Sequence, residues 1–254
     1  MRAITIIPNK KDSLRLDRVS EPSSNGEVLV RAIALGVCGT DLEIVAGRYG
    51  WAPPGHERLI IGHESLGRVE RAPADSGFTQ DDLVVGVVRR PDPVPCFACA
   101  HNQWDMCRNG KYPERGIKER DGYGAEKYTV EPDFLLKLNS TLGLNGVLLE
   151  PTSVVAKAWE QVDRIGHRAE WSPHQVLVTG AGPVGLLAAL VSVQRGMETH
   201  VLDRMTDGPK PDIVKQLGGI YHTGAIADLG FAPEVVIECT GASQLVLDAI
   251  EHCA

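Results

Sequence analysis

The sequence predicts an α/β-plus-β chain, a β-barrel-like N-terminal part followed by an α/β part built on a parallel sheet. Three observations carry this. Short β-branched segments separated by turn-formers fill roughly the first 150 residues. The unbroken apolar run Gln175–Thr179 leads straight into a glycine-rich turn. From that turn onward, helix-like and strand-like segments alternate.

Taken in order, Ala3–Ile7 and Glu27–Leu35 read as strands, and Leu83–Val88 is an apolar burst ending at Arg89-Arg90-Pro91. Pro22, Ser23-Ser24-Asn25-Gly26 and Pro53-Pro54-Gly55 supply the turns. Residues 91–124 lose all period, which predicts a functional lobe. Glu150-Pro151-Thr152 opens a helix over Ser153–Val162. Strand Gln175–Thr179, helix Leu186–Gln194, strand His200–Leu202, helix Asp212–Leu217, strand Val235–Glu238 and a helix over Ala242–Cys253 follow. The division is expected near residues 165–172, giving parts 1–165 and 166–254. The second holds about four strands where a complete dinucleotide-binding fold has about six, so it is expected to be C-terminally incomplete.

Composition narrows the function. The 254 residues carry 26 Lys and Arg against 33 Asp and Glu, a net charge of −7, which argues against a nucleic-acid partner. No apolar run approaches the ~20 residues of a membrane span. The N-terminus reaches Pro8 too soon for a secretory leader, so a cytoplasmic protein is expected. Three of the six cysteines, Cys96, Cys99 and Cys107, lie within twelve residues, a clustering that reads as metal binding before disulfides.

The turn Gly180-Ala181-Gly182-Pro183-Val184-Gly185 matches G-x-G-x-x-G between a strand and a helix. Gly180 allows the sharp turn, Gly182 lets backbone approach a pyrophosphate, and Gly185 lets helix and strand pack closely. Asp203, 23 residues after Gly180, is placed to accept ribose hydroxyls and favours NAD, whereas Arg204 beside it can pair with the 2′-phosphate of NADP.

Cys38 stands in Gly36-Val37-Cys38-Gly39-Thr40-Asp41, His63 and Glu64 follow the apolar Leu59-Ile60-Ile61, and Glu150 sits at the junction of the two parts. Each alone has an ordinary structural reading. Together, thiol, imidazole and carboxylate suit Zn²⁺, and a catalytic zinc keeps one position open.

These motifs, with Gly62-His63-Glu64-x-x-Gly67-x-Val69, Asp82-x-Val84 and the Gly180–Gly185 turn, occur in an order that closely resembles the zinc-containing medium-chain alcohol dehydrogenases. The resemblance spans essentially the whole chain and implies a GroES-like catalytic domain followed by a Rossmann domain. It implies catalytic zinc ligands at Cys38, His63 and Glu150, with Glu64 as an alternating or outer carboxylate. A narrower match, in Cys38–Glu43, Val88–Pro91, Glu114–Ile117, Asp121–Tyr123 and Glu150–Val155, is similar to the glucose 1-dehydrogenase branch. That match implies sugar contacts at Thr40, Glu114 and Glu150, and oxidation of an aldose at C1 to a lactone with hydride transfer to NAD or NADP. Glu43 stands where many relatives carry a proton-relay histidine. Members of the family are often homo-oligomers through the Rossmann sheet edge, so a homo-oligomer is expected of a full-length chain.

Within the lobe, the resemblance implies a structural zinc held by Cys96, Cys99 and Cys107, but Pro93 replaces the first cysteine of the usual four. Asp92, His101 or Asp105 is available as the fourth ligand. Three other readings compete: a dehydrogenase for another polyol or amino alcohol, a zinc-free quinone reductase, and a truncated chain that binds zinc or nucleotide without turnover.

Overall fold

The computed structural model describes residues 1–254, which divide into two compact units, Met1–Glu150 and Pro151–Ala254.

The first unit contains strands β1 (Arg2–Ile6), β2 (Arg15–Arg18), β3 (Val28–Gly36), β4 (Leu59–Ile60), β5 (Glu64–Arg71), β6 (Leu83–Gly86), β7 (Glu114–Arg115), β8 (Glu119–Arg120), β9 (Lys127–Val130) and β10 (Leu135–Lys137). Helix α1 (Gly39–Val45) follows β3, and the four-residue α2 (Phe97–Ala100) lies in the lobe. A five-stranded antiparallel sheet runs β10-β6-β5-β3-β9, beside a three-stranded sheet ordered β2-β1-β4. β2 reads Arg-Leu-Asp-Arg, all but one residue exposed, so its lack of an apolar face hid it from pattern reading.

Two apolar clusters hold this unit. Val28, Val30, Val69, Val84, Tyr123, Tyr128, Val130 and Leu135 fill the interior of the five-stranded sheet. Ile6, Ile44, Leu59, Ile61 and Ile117 form the second cluster, and Ile44 fastens α1 to it. A polar knot closes the lower side. Glu131 accepts from Arg90 Nη2 at 2.9 Å and pairs with Arg120. Burial alone would raise its carboxyl, but the Arg90 hydrogen bond and the Arg90 and Arg120 charges hold it down to about 2.

The second unit is a four-stranded parallel sheet in the order β13-β12-β11-β14. Helix α3 (Leu149–Gly166) leads into β11 (Gln175–Thr179), followed by α4 (Pro183–Gln194), β12 (Glu198–Leu202), α5 (Pro209–Leu217), β13 (Ile220–His222), β14 (Val235–Glu238) and α6 (Ser243–His252). Val176, Leu177 and Val178 are wholly buried, as a strand covered on both faces requires. The units part at residue 150, ahead of the 165–172 window read from sequence. The reason is α3, whose Val155 and Trp159 lie in the core of the second unit with Val176, Leu187 and Val201.

No helix is long and apolar enough to cross a membrane.

Candidate active site

Register brings the first set of ligand-type side chains together. β3 and β5 are antiparallel, with Gly36 opposite Glu64 and Leu35 opposite Ser65. Cys38 lies two residues beyond the end of β3 and His63 one residue before β5, so both emerge at the same end of the paired strands. Gly36 makes the approach close, since a Cβ there would stand 1.9 Å from Glu64 Oε2.

The result is a trio in which His63 and Glu64 are buried and Cys38 is half-buried. Ligand atoms of Cys38, His63 and Glu64 all lie within 4.8 Å of one another, and Cys38 Sγ is 3.1 Å from His63 Nε2. Burial works against the Cys38 thiolate, but the His63 hydrogen bond and charge outweigh it and hold the thiol below its ordinary value. Burial likewise opposes charge on His63, yet Asp41 and Cys38 push its pKa up to about 10. Glu64 is raised, chiefly by burial.

Asp41 is a residue that sequence reasoning quoted in a motif without giving it a task. It is 3% exposed, and its Oδ2 accepts from Cys38 N at 3.0 Å, capping α1. Its Oδ1 lies 3.5 Å from His63 Nδ1, an ion-pair distance too long for a full hydrogen bond, and both atoms are buried without a hydrogen-bond partner. Asp41 therefore backs the imidazole on the side away from Cys38. A carboxylate behind a ligating histidine fixes its tautomer and ring direction. A half-buried thiolate beside a buried imidazole and carboxylate, with that backing, fits a divalent zinc ion better than any packing role.

The structure does not bring Glu150 into the trio. Its carboxyl is raised, mainly by burial, and feels the charges of His63, Glu64, Asp41 and Glu114. Glu114 is thus coupled electrostatically to the same site, although it lies on β7. Its side chain is 11% exposed and its Oε1 accepts from Arg89 Nε at 2.9 Å. Thr40, in the first turn of α1, aims its backbone N–H at the Cys38 sulfur. Glu43 points away into an exposed pair with Arg48.

The lobe holds the second set. Cys96, Cys99 and Cys107 bring their sulfurs within 4.8 Å of one another and are unpaired as disulfides. Backbone N–H groups of Arg108 and Cys99 lead those that hold Cys96 down to about 6. The Asp92 N–H favours a Cys99 thiolate, but burial and the neighbouring thiols prevail and raise it. Three crowded sulfurs of this kind fit one zinc ion. Asp92 does not join them through its carboxylate, whose oxygens accept from Val94 N at 2.8 Å and Asn109 Nδ2 at 3.0 Å. His101 Nδ1 is 2.7 Å from Phe97 O, within its own turn.

The glycine-rich turn of the second unit is built as its spacing predicts. Gly180 has φ of +90°, and a Cβ on Gly185 would lie 1.8 Å from Gly180 O. A Cβ on Gly182 would meet no protein atom within 4 Å, so packing does not demand glycine there, whereas room for a pyrophosphate does. Pro183, Val184 and Gly185 form the first turn of α4, whose N–H groups suit phosphate oxygens. Asp203 Oδ2 accepts from Ala181 N at 2.7 Å and from Lys210 Nζ at 2.9 Å. Burial would raise its carboxyl, but those bonds hold it down to about 2. Arg204 is exposed, and Lys210 is a cation that motif reading missed because it lies on α5.

Both units of the chain are similar to known proteins. A profile described as "Alcohol dehydrogenase GroES-like domain" matches residues 24–140, and one described as "Glucose dehydrogenase C-terminus" matches residues 144–254. A glucose 1-dehydrogenase of Methanocella arvoryzae is 45% identical over 98% of this chain and 72% of its own length. One from Thermoproteus tenax is 41% identical over 100% of this chain and 73% of its own. Among solved structures, Haloferax mediterranei glucose dehydrogenase in complex with NADP, Zn and gluconolactone superposes with a TM-score of 0.89 at 30% identity, covering 100% of this chain and 74% of that one.

Proposed function

The chain belongs to the zinc-containing medium-chain alcohol dehydrogenases, in their glucose 1-dehydrogenase branch, and from that premise we propose that it oxidises D-glucose or a related aldose at C1 to the lactone. The observation that carries this reading is the convergence of Cys38, His63 and Glu64, with Asp41 behind the imidazole. When bound, zinc supplies a Lewis acid that makes the C1 hydroxyl acidic near neutral pH, and the nicotinamide cofactor accepts the hydride.

The protein's own groups do the rest. Cys38 and His63 hold the cation through sulfur and Nε2, and Asp41 orients the ring. Glu64 supplies the carboxylate of the trio, and Glu150 is assigned as the carboxylate that exchanges with it and meets the sugar. Glu114 and Thr40 accept and orient sugar hydroxyls. The carboxylates of Glu114 and Glu150 can accept several hydroxyl donors, which favours a polyhydroxylated substrate over a plain alkyl alcohol. In the second unit, the N-terminus of α4 receives the pyrophosphate. Asp203 favours ribose hydroxyls, while Lys210 and Arg204 supply positive charge toward a 2′-phosphate, so both NAD and NADP are accepted. Six cysteines free of disulfides support a cytoplasmic setting. Homo-oligomerisation, expected from the family, is measured by sedimentation.

The test is steady-state turnover of the zinc-loaded chain across aldoses, alditols and amino alcohols with each cofactor. Glucose with the highest kcat/KM, and gluconolactone as product, is the expected result. Preference for sorbitol or threonine, or zinc and nucleotide binding without turnover, overturns the reading.

A further inference from the structure

We propose that Arg89 is a positioning residue for the sugar. It clamps the Glu114 carboxylate and ties that carboxylate to the three-thiol lobe. The inference rests on the reading of Glu114 as a sugar contact.

Arg89 directs both ends of its fork. Nε donates to Glu114 Oε1 at 2.9 Å and Nη2 lies 2.8 Å from the same oxygen. Nη1 donates to the backbone carbonyl of Asp105 at 3.1 Å, two residues ahead of Cys107. The guanidinium lies 4.0 Å from the centroid of the Tyr112 ring, and residue 89 forms a backbone bridge with residue 114. One side chain therefore joins the end of the apolar burst, the carboxylate on β7 and the short helical turn Trp104–Met106 of the lobe. Oε1 is held by two donors of one fork, so the direction of Oε2 is fixed as well. A carboxylate with its rotation fixed loses little freedom when a sugar hydroxyl arrives. Lysine at this place keeps the charge but cannot span both partners, because it presents a single point of charge.

The lobe gains a task from this. Its short elements leave Phe97, Val94 and Met106 exposed, and the turn that carries Asp105 lies between the edge contact of Trp104 on Phe134 and Cys107 of the sulfur cluster. Metal held by Cys96, Cys99 and Cys107 thereby acts on sugar affinity at a distance, through a carbonyl and a guanidinium.

The experiment is a double-mutant cycle on the zinc-loaded chain with Arg89→Ala and Glu114→Gln. It reads KM for glucose, kcat, KM for the cofactor and the calorimetric Kd for glucose. Loss of the charged hydrogen bonds in Arg89→Ala is expected to raise KM and Kd for glucose about tenfold, with a smaller fall in kcat and no change in cofactor KM. The same change made on Glu114→Gln is expected to add little. Arg89→Lys folds more safely, and it is expected to behave as Arg89→Ala rather than to rescue. If Glu114→Gln weakens glucose binding but the Arg89 variants do not, or if the two effects simply multiply, the inference is wrong and the sugar role of Glu114 stands. If Glu114→Gln leaves glucose binding untouched, the underlying reading of Glu114 falls and takes the inference with it.

Discussion

The first unit contains two clusters of ligand-type side chains whose surroundings differ in kind. Cys38, His63 and Glu64 are mixed donors at the end of paired strands, backed by Asp41 and within the field of Glu150. Cys96, Cys99 and Cys107 are three like donors in a lobe made of a four-residue helix and one 3-10 turn, served by backbone N–H groups. Mixed donors with spare carboxylates nearby leave a cation free to take another oxygen, whereas like thiolates suit a closed structural site, of which this lobe supplies three donors. The same ion would therefore have chemistry to do in one place and a lobe to order in the other.

The sharpest break of this comparison comes from removing one ligand at each centre. Cys38→Ser is expected to lower kcat/KM for glucose by about 10³-fold or more, because Lewis-acid stabilisation is worth several kcal/mol. Zinc at the lobe should remain, so elemental analysis should show loss at one centre only. Asp41→Asn should weaken zinc binding at the first centre by about 10–100-fold, the usual cost of losing an outer carboxylate. A chelator titration that finds wild-type affinity would remove Asp41 from the design.

At the lobe, Cys99→Ser should delete one zinc per chain and lower Tm by roughly 5 °C, on a scale of about 2–4 °C per kcal/mol for chains of 150–250 residues. Unchanged zinc content would show that the three thiols hold no metal. The smallest effect concerns the polar knot. The Glu131 carboxyl is held down to about 2, so its contribution to stability is present above the ordinary carboxylate pKa near 4.5 and is lost as pH falls toward 2. The stability difference between wild type and Glu131→Gln should therefore shrink through that window, read by denaturant unfolding at stepped pH. A constant difference from pH 6 down to pH 2.5 would disprove the linkage.

The second unit was the more legible in sequence. An unbroken apolar strand and a turn with two constrained glycines, Gly180 and Gly185, leave little choice of structure, and β11, the turn and α4 fall where the pattern puts them. The first unit showed its chemistry but not its support. Cys38, His63 and Glu64 stood out because thiol, imidazole and carboxylate flank strand-like segments. Asp41 and Arg89 did not, because their roles depend on which atom faces which neighbour, and spacing carries no such information. Asp92 was drawn to the metal by proximity in sequence, yet its carboxylate turns to Val94 and Asn109. The start of the second unit was hidden because α3 is amphipathic like any surface helix, and only packing shows which core receives Val155 and Trp159.

Gly36 has no side chain to offer an ion or a substrate, yet its missing methyl group leaves the room in which the trio assembles. A single carbon added there would occupy the place of Glu64 Oε2. Gly36→Ala thus forces a choice between parting β3 from β5 and expelling a carboxylate from the trio, and either outcome silences the centre without touching a ligand. Reactivity here is guarded by an atom that is not there.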